Sequence, residues 1–167
     1  MNRAFLIFGP ESSGTRMLTE YLIRCTNAFG DWTHSQCLDR AENFNHLKPD
    51  SDIVWRRSLP HSGIWADIPT MSRFVATKGF TSIAIGIIRA STPTIASQLK
   101  NKHINTIERG QDNYNRAVEH INDFCNPVIY YEAFVNSYDV RYNFLKFLNI
   151  DPPEVEPMQI NYELPIP

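Results

Sequence analysis

The sequence predicts a single α/β domain in which helices flank both faces of a mainly parallel central sheet. Three observations lead to this fold class. Apolar segments of strand length alternate with amphipathic helical segments, the first apolar segment runs directly into a glycine-containing loop, and the length of 167 residues is about that of one domain. With 43% hydrophobic residues, the chain can bury one sizeable core.

The chain opens with a strand, a loop and a helix. Residues 4–8 form a continuous apolar run of strand length, which is typical of a strand buried on both faces, and Gly9 and Pro10 end it. Apolar residues then recur every three or four positions from about residue 14 to residue 27. This spacing predicts an amphipathic helix.

The remainder of the chain repeats the alternation of strands and helices. In chain order, the pattern predicts a strand at residues 52–56, a strand at 82–88, a helix at 93–100 capped by Thr92, a helix with an apolar stripe at 114–124, a strand at 127–131 and a helix at 138–148 capped by Ser137. Residues 28–50 show no clear period and are assigned only a short helix near residues 38–44. Residues 151–167 are expected to form an extended tail to the single domain.

Charge, hydropathy and cysteine content narrow the class of protein. A net charge of −2 gives no support for a nucleic acid or an anionic membrane as partner. No apolar run approaches the roughly 20 residues that span a bilayer, so we expect a cytoplasmic protein. The three cysteines have no paired spacing, which argues against a disulfide framework and a zinc site; they are Cys25, Cys37 and Cys125. The oligomeric state is left open.

The loop Gly9-Pro-Glu-Ser-Ser-Gly-Thr-Arg16 is the candidate anion site. Glycine lets the backbone approach an anion, and the free N–H groups at the start of the following helix stabilise negative charge. The loop also offers the hydroxyl groups of Ser12, Ser13 and Thr15. Because ligands of parallel sheets bind beyond the carboxyl ends of the strands, Arg56, Arg57 and Arg89 are expected to converge on this loop.

The loop differs from the common ATP-binding loop. That loop requires Gly-x-x-x-x-Gly-Lys followed by Ser or Thr, whereas the last two positions here are Thr15 and Arg16. The lysine that contacts the phosphates is absent, and the hydroxyl expected on magnesium is displaced. A phosphotransferase of the P-loop kind is therefore the less favoured alternative.

Two motifs resemble the nucleotide-binding motifs of sulfotransferases. Ser13-Gly-Thr-Arg16 resembles the family's 5′-phosphosulfate loop, in which Lys or Arg precedes Ser-Gly-Thr and then Thr or Arg. Arg89, at the end of a predicted strand and eight residues before Ser97, is similar to the family's 3′-phosphate motif. Residues 128–135, Val-Ile-Tyr-Tyr-Glu-Ala-Phe-Val, look like the family's Arg-Tyr-Glu-Asp-Leu segment before the last helix, where Tyr131 and Glu132 are given a packing role only. The three likenesses follow the family's order from residue 4 to residue 150.

The resemblance implies a P-loop NTPase-like fold and a nucleotide-binding transferase. Its donor would be 3′-phosphoadenosine 5′-phosphosulfate (PAPS) and its product 3′-phosphoadenosine 5′-phosphate (PAP), without a metal. The acceptor would be a hydroxyl or amine of a small molecule or glycan that the sequence does not identify. The implied nucleotide-binding residues are Gly9, Ser12, Ser13, Gly14, Thr15, Arg16, Arg89 and Ser97. A non-catalytic nucleotide-binding module of the same fold is the main alternative.

The main departure from the family is Ser12, which stands where the family usually has Lys or Arg against the sulfuryl group. Arg56 is the expected substitute, because Ile-Val-Trp-Arg56-Arg-Ser-Leu-Pro resembles a strand of cytosolic members that ends in Lys-Thr-His-Leu-Pro. Arg16 and Lys78 are further candidates for this cation. Whether catalysis survives without the loop lysine stays open at this point.

The family's catalytic histidine is also missing from its usual position. Ser58 replaces the histidine that the family uses as base, and His61 lies three residues further on. We nominate His61 as the base, with His34 as its rival, because a histidine can accept a proton at neutral pH. Candidates for lining an acceptor pocket are Trp32, Trp55, Trp65 and Phe74, while His46, His103 and His120 have no supporting context.

Overall fold

A computed structural model describes residues 2–30 and 50–153 of the chain. Within these residues, four parallel strands form one sheet with the spatial order β2-β1-β3-β4. The strands are β1 (Arg3–Pro10), β2 (Ile53–Leu59), β3 (Thr81–Ile88) and β4 (Val128–Tyr130). Strands β1 and β3 lie inside the sheet, in agreement with their continuous apolar sequences.

Helices cover both faces of the sheet. They are α1 (Thr15–Thr26), α2 (Ile68–Thr77), α3 (Ser91–Lys100), α4 (Ile107–Phe124), α5 (Tyr131–Asn136) and α6 (Tyr138–Phe147). On β1, Phe5 and Ile7 pack into a cluster with α1, α5 and α6, whereas Leu6 and Phe8 pack into a cluster with α2 and α4. The predicted fold class, one α/β domain with helices on both faces of a parallel sheet, is confirmed.

Strand β2 is longer than its sequence indicates. The predicted strand ends at Arg56, but β2 continues to Leu59 because β1 pairs with it as far as Pro10. Two arginines therefore lie inside a buried strand, with Arg56 6% exposed and Arg57 2% exposed. The extension brings the last residues of β2 beside the loop that follows β1.

The helices differ from the sequence prediction at several places, and α4 begins at Ile107 rather than near residue 114. Helix α2 was not predicted, although Asp67 caps it by accepting a hydrogen bond from Thr70 N at 2.9 Å. The prediction that Thr92 caps α3 is wrong, because the helix starts at Ser91 and its N-cap is Ala90. Strand β4 gives way to α5 at Tyr131, whereas the predicted cap at Ser137 is confirmed.

Several predictions concern parts of the chain outside the described residues. These are the short helix near residues 38–44, the tail beyond residue 153, His34, Cys37, His46 and Trp32. Within residues 2–30 and 50–153, no helix combines the length and the apolar composition needed to cross a bilayer.

Candidate functional site

The loop between β1 and α1 is a tight turn anchored to a neighbouring helix. Ser13 N donates to Pro10 O at 3.0 Å, and Gln98 Nε2 of α3 donates to Glu11 O at 2.6 Å. Gly9 has no room for a side chain, since a Cβ there would lie 2.2 Å from Ser13 Oγ. The loop is thus fixed both by its own turn and by α3.

Two loop residues have a left-handed backbone, with φ 71° at Ser12 and φ 100° at Gly14. The conformation costs a residue other than glycine on the order of 1–3 kcal/mol, and such strain is concentrated at ligand sites. Gly14 is the N-cap of α1 and provides no side-chain hydrogen bond to the helix. The first N–H groups of α1 therefore lack a side-chain cap at the position where an anion would bind.

A cavity of about 250 Å³ lies over this loop and is called the loop cavity below. The predicted site residues on its wall are Ser12, Gly14, Thr15, Arg16, Arg56, His61 and Ser97. Four residues without a predicted role also line it, namely Glu11, Ser58, Asn101 and His103. Gly9 and Ser13 are buried in the turn itself. The loop, the end of β2 and helix α3 therefore meet at one site.

Arg56 reaches the loop cavity because of its position along β2. Alternate residues of a strand point to the same face, and Arg56 and Ser58 both line the cavity. Trp55, on the opposite face, is 3% exposed and belongs to the hydrophobic core. Arg57 shares that face and does not line the cavity, so the prediction that it converges on the loop is wrong. Because Gly9 pairs with Ser58, this end of β2 lies beside the loop. The neighbouring strand thus supplies a guanidinium group to the same cavity as Ser12.

His61 is held by a two-residue hairpin turn. Its N–H donates to Ile64 O at 3.0 Å, and Ile64 N donates back to His61 O at 3.0 Å. The two central residues, Ser62 and Gly63, have φ values of 51° and 79°. Positive φ at both positions is typical of a type I′ turn. The backbone of His61 is therefore fixed at the edge of the loop cavity.

Arg89 and Ser97, the predicted 3′-phosphate pair, do not line the same cavity in this conformation. Ser97 lines the loop cavity, whereas Arg89 Cζ lies 4.9 Å from the centroid of the Tyr131 ring. The same ring packs on Gly14. Burial raises the pKa of Tyr131, and the charge of Arg89 acts in the opposite direction. Glu132 accepts a hydrogen bond from the backbone N–H before α3, so Tyr131 and Glu132 have packing and hydrogen-bonding contacts.

The sequence did not indicate the contact between Glu11 and His103. Glu11 Oε1 lies 3.5 Å from His103 Nδ1, and both residues line the loop cavity. Burial raises the pKa of the Glu11 carboxyl, while His103 opposes the rise. His103 follows α3, where its N–H donates to Gln98 O at 2.9 Å. No sequence motif could have revealed this pair, because its partners are distant in the chain and meet through the packing of α3.

Two basic side chains considered from sequence alone lie elsewhere. The prediction that Lys78 could reach the reaction centre is wrong, because Lys78 precedes β3. It therefore lies near the amino-terminal ends of the parallel strands, whereas the loop lies at their carboxyl ends. Its Nζ is 5.5 Å from the centroid of the Phe74 ring. His120 Nε2 lies 3.1 Å from Ala66 O, which agrees with a structural role.

The described residues define an α/β protein with a four-stranded parallel sheet and a glycine-containing loop between its first strand and first helix. A scan against protein-family models finds no match, and a search of curated proteins finds none either. Among solved structures, the chain is similar to the tunicamycin resistance protein of Deinococcus radiodurans, with a TM-score of 0.50 at 13% sequence identity. The superposition covers 91% of this chain and 100% of that chain. At this identity the likeness shows the fold alone.

Proposed function

We propose that this chain is a sulfotransferase that binds PAPS in the loop cavity. The observation that supports this function best is that Ser13-Gly-Thr-Arg16 and Arg56 line or border one cavity. The first segment matches the family's 5′-phosphosulfate loop, and Arg56 adds a cation beside Ser12, where the family usually has one on the loop. The nucleotide and the sulfuryl group would therefore find both N–H donors and cations at this site.

The residues present fit a phosphosulfate group. Arg16 and Arg56 provide guanidinium groups, Ser12 and Thr15 provide hydroxyl groups, and the start of α1 provides backbone N–H groups. Gly9 leaves the backbone of the turn without a side chain that would fill it. Preorganised donors of this kind stabilise charge that develops in a transition state.

The proposed reaction transfers a sulfuryl group to an acceptor hydroxyl or amine. A bond forms between sulfur and the acceptor oxygen or nitrogen while the bond from sulfur to the bridging phosphate oxygen breaks, and that oxygen keeps the electron pair. Arg56 and Arg16 would stabilise the charge on the departing phosphate. The acceptor proton passes to a base, for which we propose His61 because it lines the loop cavity.

His103 is a second candidate for the base, on a different observation. It also lines the loop cavity, and the carboxyl group of Glu11 lies beside its Nδ1. A carboxylate at one ring nitrogen orients a histidine and favours the proton on that nitrogen, which leaves Nε2 to accept a proton. The contact gives His103 an orienting partner.

Calorimetric titration with PAP and with ATP plus magnesium tests the binding half of the proposal. We expect PAP to bind, and Arg56→Ala to weaken PAP binding roughly 10- to 150-fold, the value of one hydrogen bond to a charged group. Arg73→Ala is the matched control, because Arg73 is exposed on α2 and contacts Thr70. Arg56→Lys keeps the charge if truncation of this buried residue impairs folding. Binding of ATP without binding of PAP contradicts the proposal and favours the P-loop phosphotransferase.

Transfer from sulfur-labelled PAPS to a panel of hydroxyl and amine acceptors tests the catalytic half. We expect His61→Ala to lower the transfer rate by about 10²- to 10⁴-fold, the usual contribution of a general base, with PAP affinity unchanged. If His103→Ala produces this loss and His61→Ala does not, His103 is the base. Tight PAP binding without transfer to any acceptor favours the non-catalytic nucleotide-binding module.

A further inference from the structure

A second cavity, of about 350 Å³, adjoins the loop cavity. The two share a wall, because Glu11 and His103 line both. The second cavity lies between the turn after β2 and the segment that joins α3 to α4, and its volume falls within the range of small-molecule sites, roughly 300–1,000 Å³. A molecule bound there would have the loop cavity directly beyond the Glu11 and His103 side chains.

The second cavity carries two cationic side chains, Lys102 and Arg109. Neither forms an ion pair within residues 2–30 and 50–153. Both side chains start from ordered backbone, since Lys102 N donates to Leu99 O at 3.1 Å and Arg109 N donates to the capping Thr106 Oγ1 at 3.2 Å. The carboxylate on this wall, Glu11, is already in contact with His103. The cavity therefore has an excess of positive charge.

The same cavity also offers an apolar surface and amide groups. Trp65 is partly buried against the core, and Arg116 Cζ lies 4.1 Å from the centroid of its ring. Gln98 is 2% exposed, and its Oε1 accepts no hydrogen bond from the described residues, although its Nε2 is bonded to Glu11 O. Asn113 adds a second amide. Cations, a buried acceptor oxygen and an apolar wall are the features expected where an anionic, hydroxyl-bearing compound binds.

We infer that the second cavity binds the acceptor and that this acceptor carries an anionic group, recognised by Lys102 and Arg109, in addition to its reacting hydroxyl. The inference rests on the proposed function, because the loop cavity must hold the sulfuryl donor. The shared wall at Glu11 and His103 places the hydroxyl end of the acceptor next to that donor, and the anionic end lies among the cations.

Ligand-observed NMR titration of the full chain, with PAP present at saturation, tests this inference. The probes are 4-hydroxybenzoate against the neutral 4-methylphenol, and glucuronate against glucose, so that an anionic phenol and an anionic sugar are each compared with an uncharged relative. We expect at least one anionic probe to bind more tightly than its neutral relative by roughly tenfold or more, the lower end of the value of one hydrogen bond to a charged group. The pair that shows the preference identifies the kind of acceptor.

Lys102→Ala and Arg109→Ala should each remove most of this preference and leave the neutral probes and PAP unaffected. Lys100→Ala is the control, because Lys100 is an exposed lysine at the end of α3, close to Lys102, but lines neither cavity. Equal affinity for charged and neutral probes, or a preference that both variants retain, overturns the inference even if PAP binds. If PAP fails to bind but the preference still depends on Lys102 and Arg109, the anion site stands and the sulfotransferase proposal fails.

Discussion

Among the glycines with a left-handed backbone, Gly14 is the one whose replacement by alanine should destabilise the protein most. Gly14 has φ 100°, and a Cβ there would lie 2.5 Å from Cδ2 and 2.8 Å from Cε2 of the Tyr131 ring. Tyr131 cannot withdraw freely, because it is 9% exposed and packs in the cluster that contains Phe134 and Ile87. The added methyl group therefore meets both an unfavourable backbone conformation and a fixed ring.

The two effects can be estimated separately. A left-handed backbone costs an alanine roughly 1–2 kcal/mol, and one extra methyl group in a packed site costs roughly 1–3 kcal/mol. The sum is about 2–5 kcal/mol, a large part of the roughly 5–15 kcal/mol by which a domain is stable. Gly79→Ala isolates the backbone effect, since Gly79 has φ 87° and a Cβ there would meet nothing within 4 Å.

Urea unfolding followed by circular dichroism measures both variants. We expect Gly14→Ala to lose about 1–3 kcal/mol more than Gly79→Ala. In a Tyr131→Ala background, Gly14→Ala should cost only the backbone part, and the difference is the coupling energy between the two sites. If Gly14→Ala costs no more than Gly79→Ala, or if removal of the Tyr131 ring leaves the cost of Gly14→Ala unchanged, the Tyr131 ring does not oppose the added methyl group.

Three further predictions concern the titrating groups. Asp67→Ala should lower the free energy of unfolding by about 1 kcal/mol at neutral pH. Hydrogen bonds from Thr70 hold the pKa of Asp67 below its usual 3.8. Urea unfolding at a series of pH values should therefore show this loss disappearing as the pH falls through the lowered pKa. Burial raises the pKa of Glu11 above 4.5, so ionisation of Glu11 opposes folding as the pH rises. Glu11→Gln should therefore raise the melting temperature at pH 7 and leave it unchanged below pH 4.5. A lower melting temperature of Glu11→Gln at pH 7 would contradict this. Burial raises the pKa of Cys25 to about 11 and that of Cys125 to about 12, so peptide mass mapping should find both unmodified by iodoacetamide at pH 8 until urea unfolds the chain.

The elements that the sequence predicted well are those with local causes. Residues 4–8 and the following loop could be assigned because a continuous apolar run and two glycines act within a few positions. Helix α2 also had a local signal, Asp67 before Pro69 with apolar Met71 and Val75 beyond, but the segment lacked a long stripe. The end of β2 was misplaced because hydropathy argues against Arg56 and Arg57 inside a buried strand.

The site was predictable only in part. The loop and Arg56 could be found through their resemblance to known motifs, whereas the Glu11 and His103 contact depends on the docking of α3 against the loop through Gln98. The second cavity depends on the same docking and on the turn around Ser62. Packing between segments that are distant in the chain produces no periodic pattern in a sequence, so neither the contact nor the second cavity could be predicted from it.

The position of Arg56 makes the site depend on strand register as well as on the loop. A Lys or Arg at the position of Ser12 would be held by the loop itself. Here the cation that takes this role in addition to Arg16 is Arg56 of β2, the strand at the edge of the described sheet. Its register is set by pairing with β1, where Ile7 lies opposite Arg56. A shift of one residue would turn Arg56 to the face of Trp55, bring Arg57 to the cavity side and remove Ser58 from the wall. Two adjacent arginines in a buried strand are costly for folding, and the extended pairing of β1 with β2 as far as Pro10 is what holds the correct one at the loop.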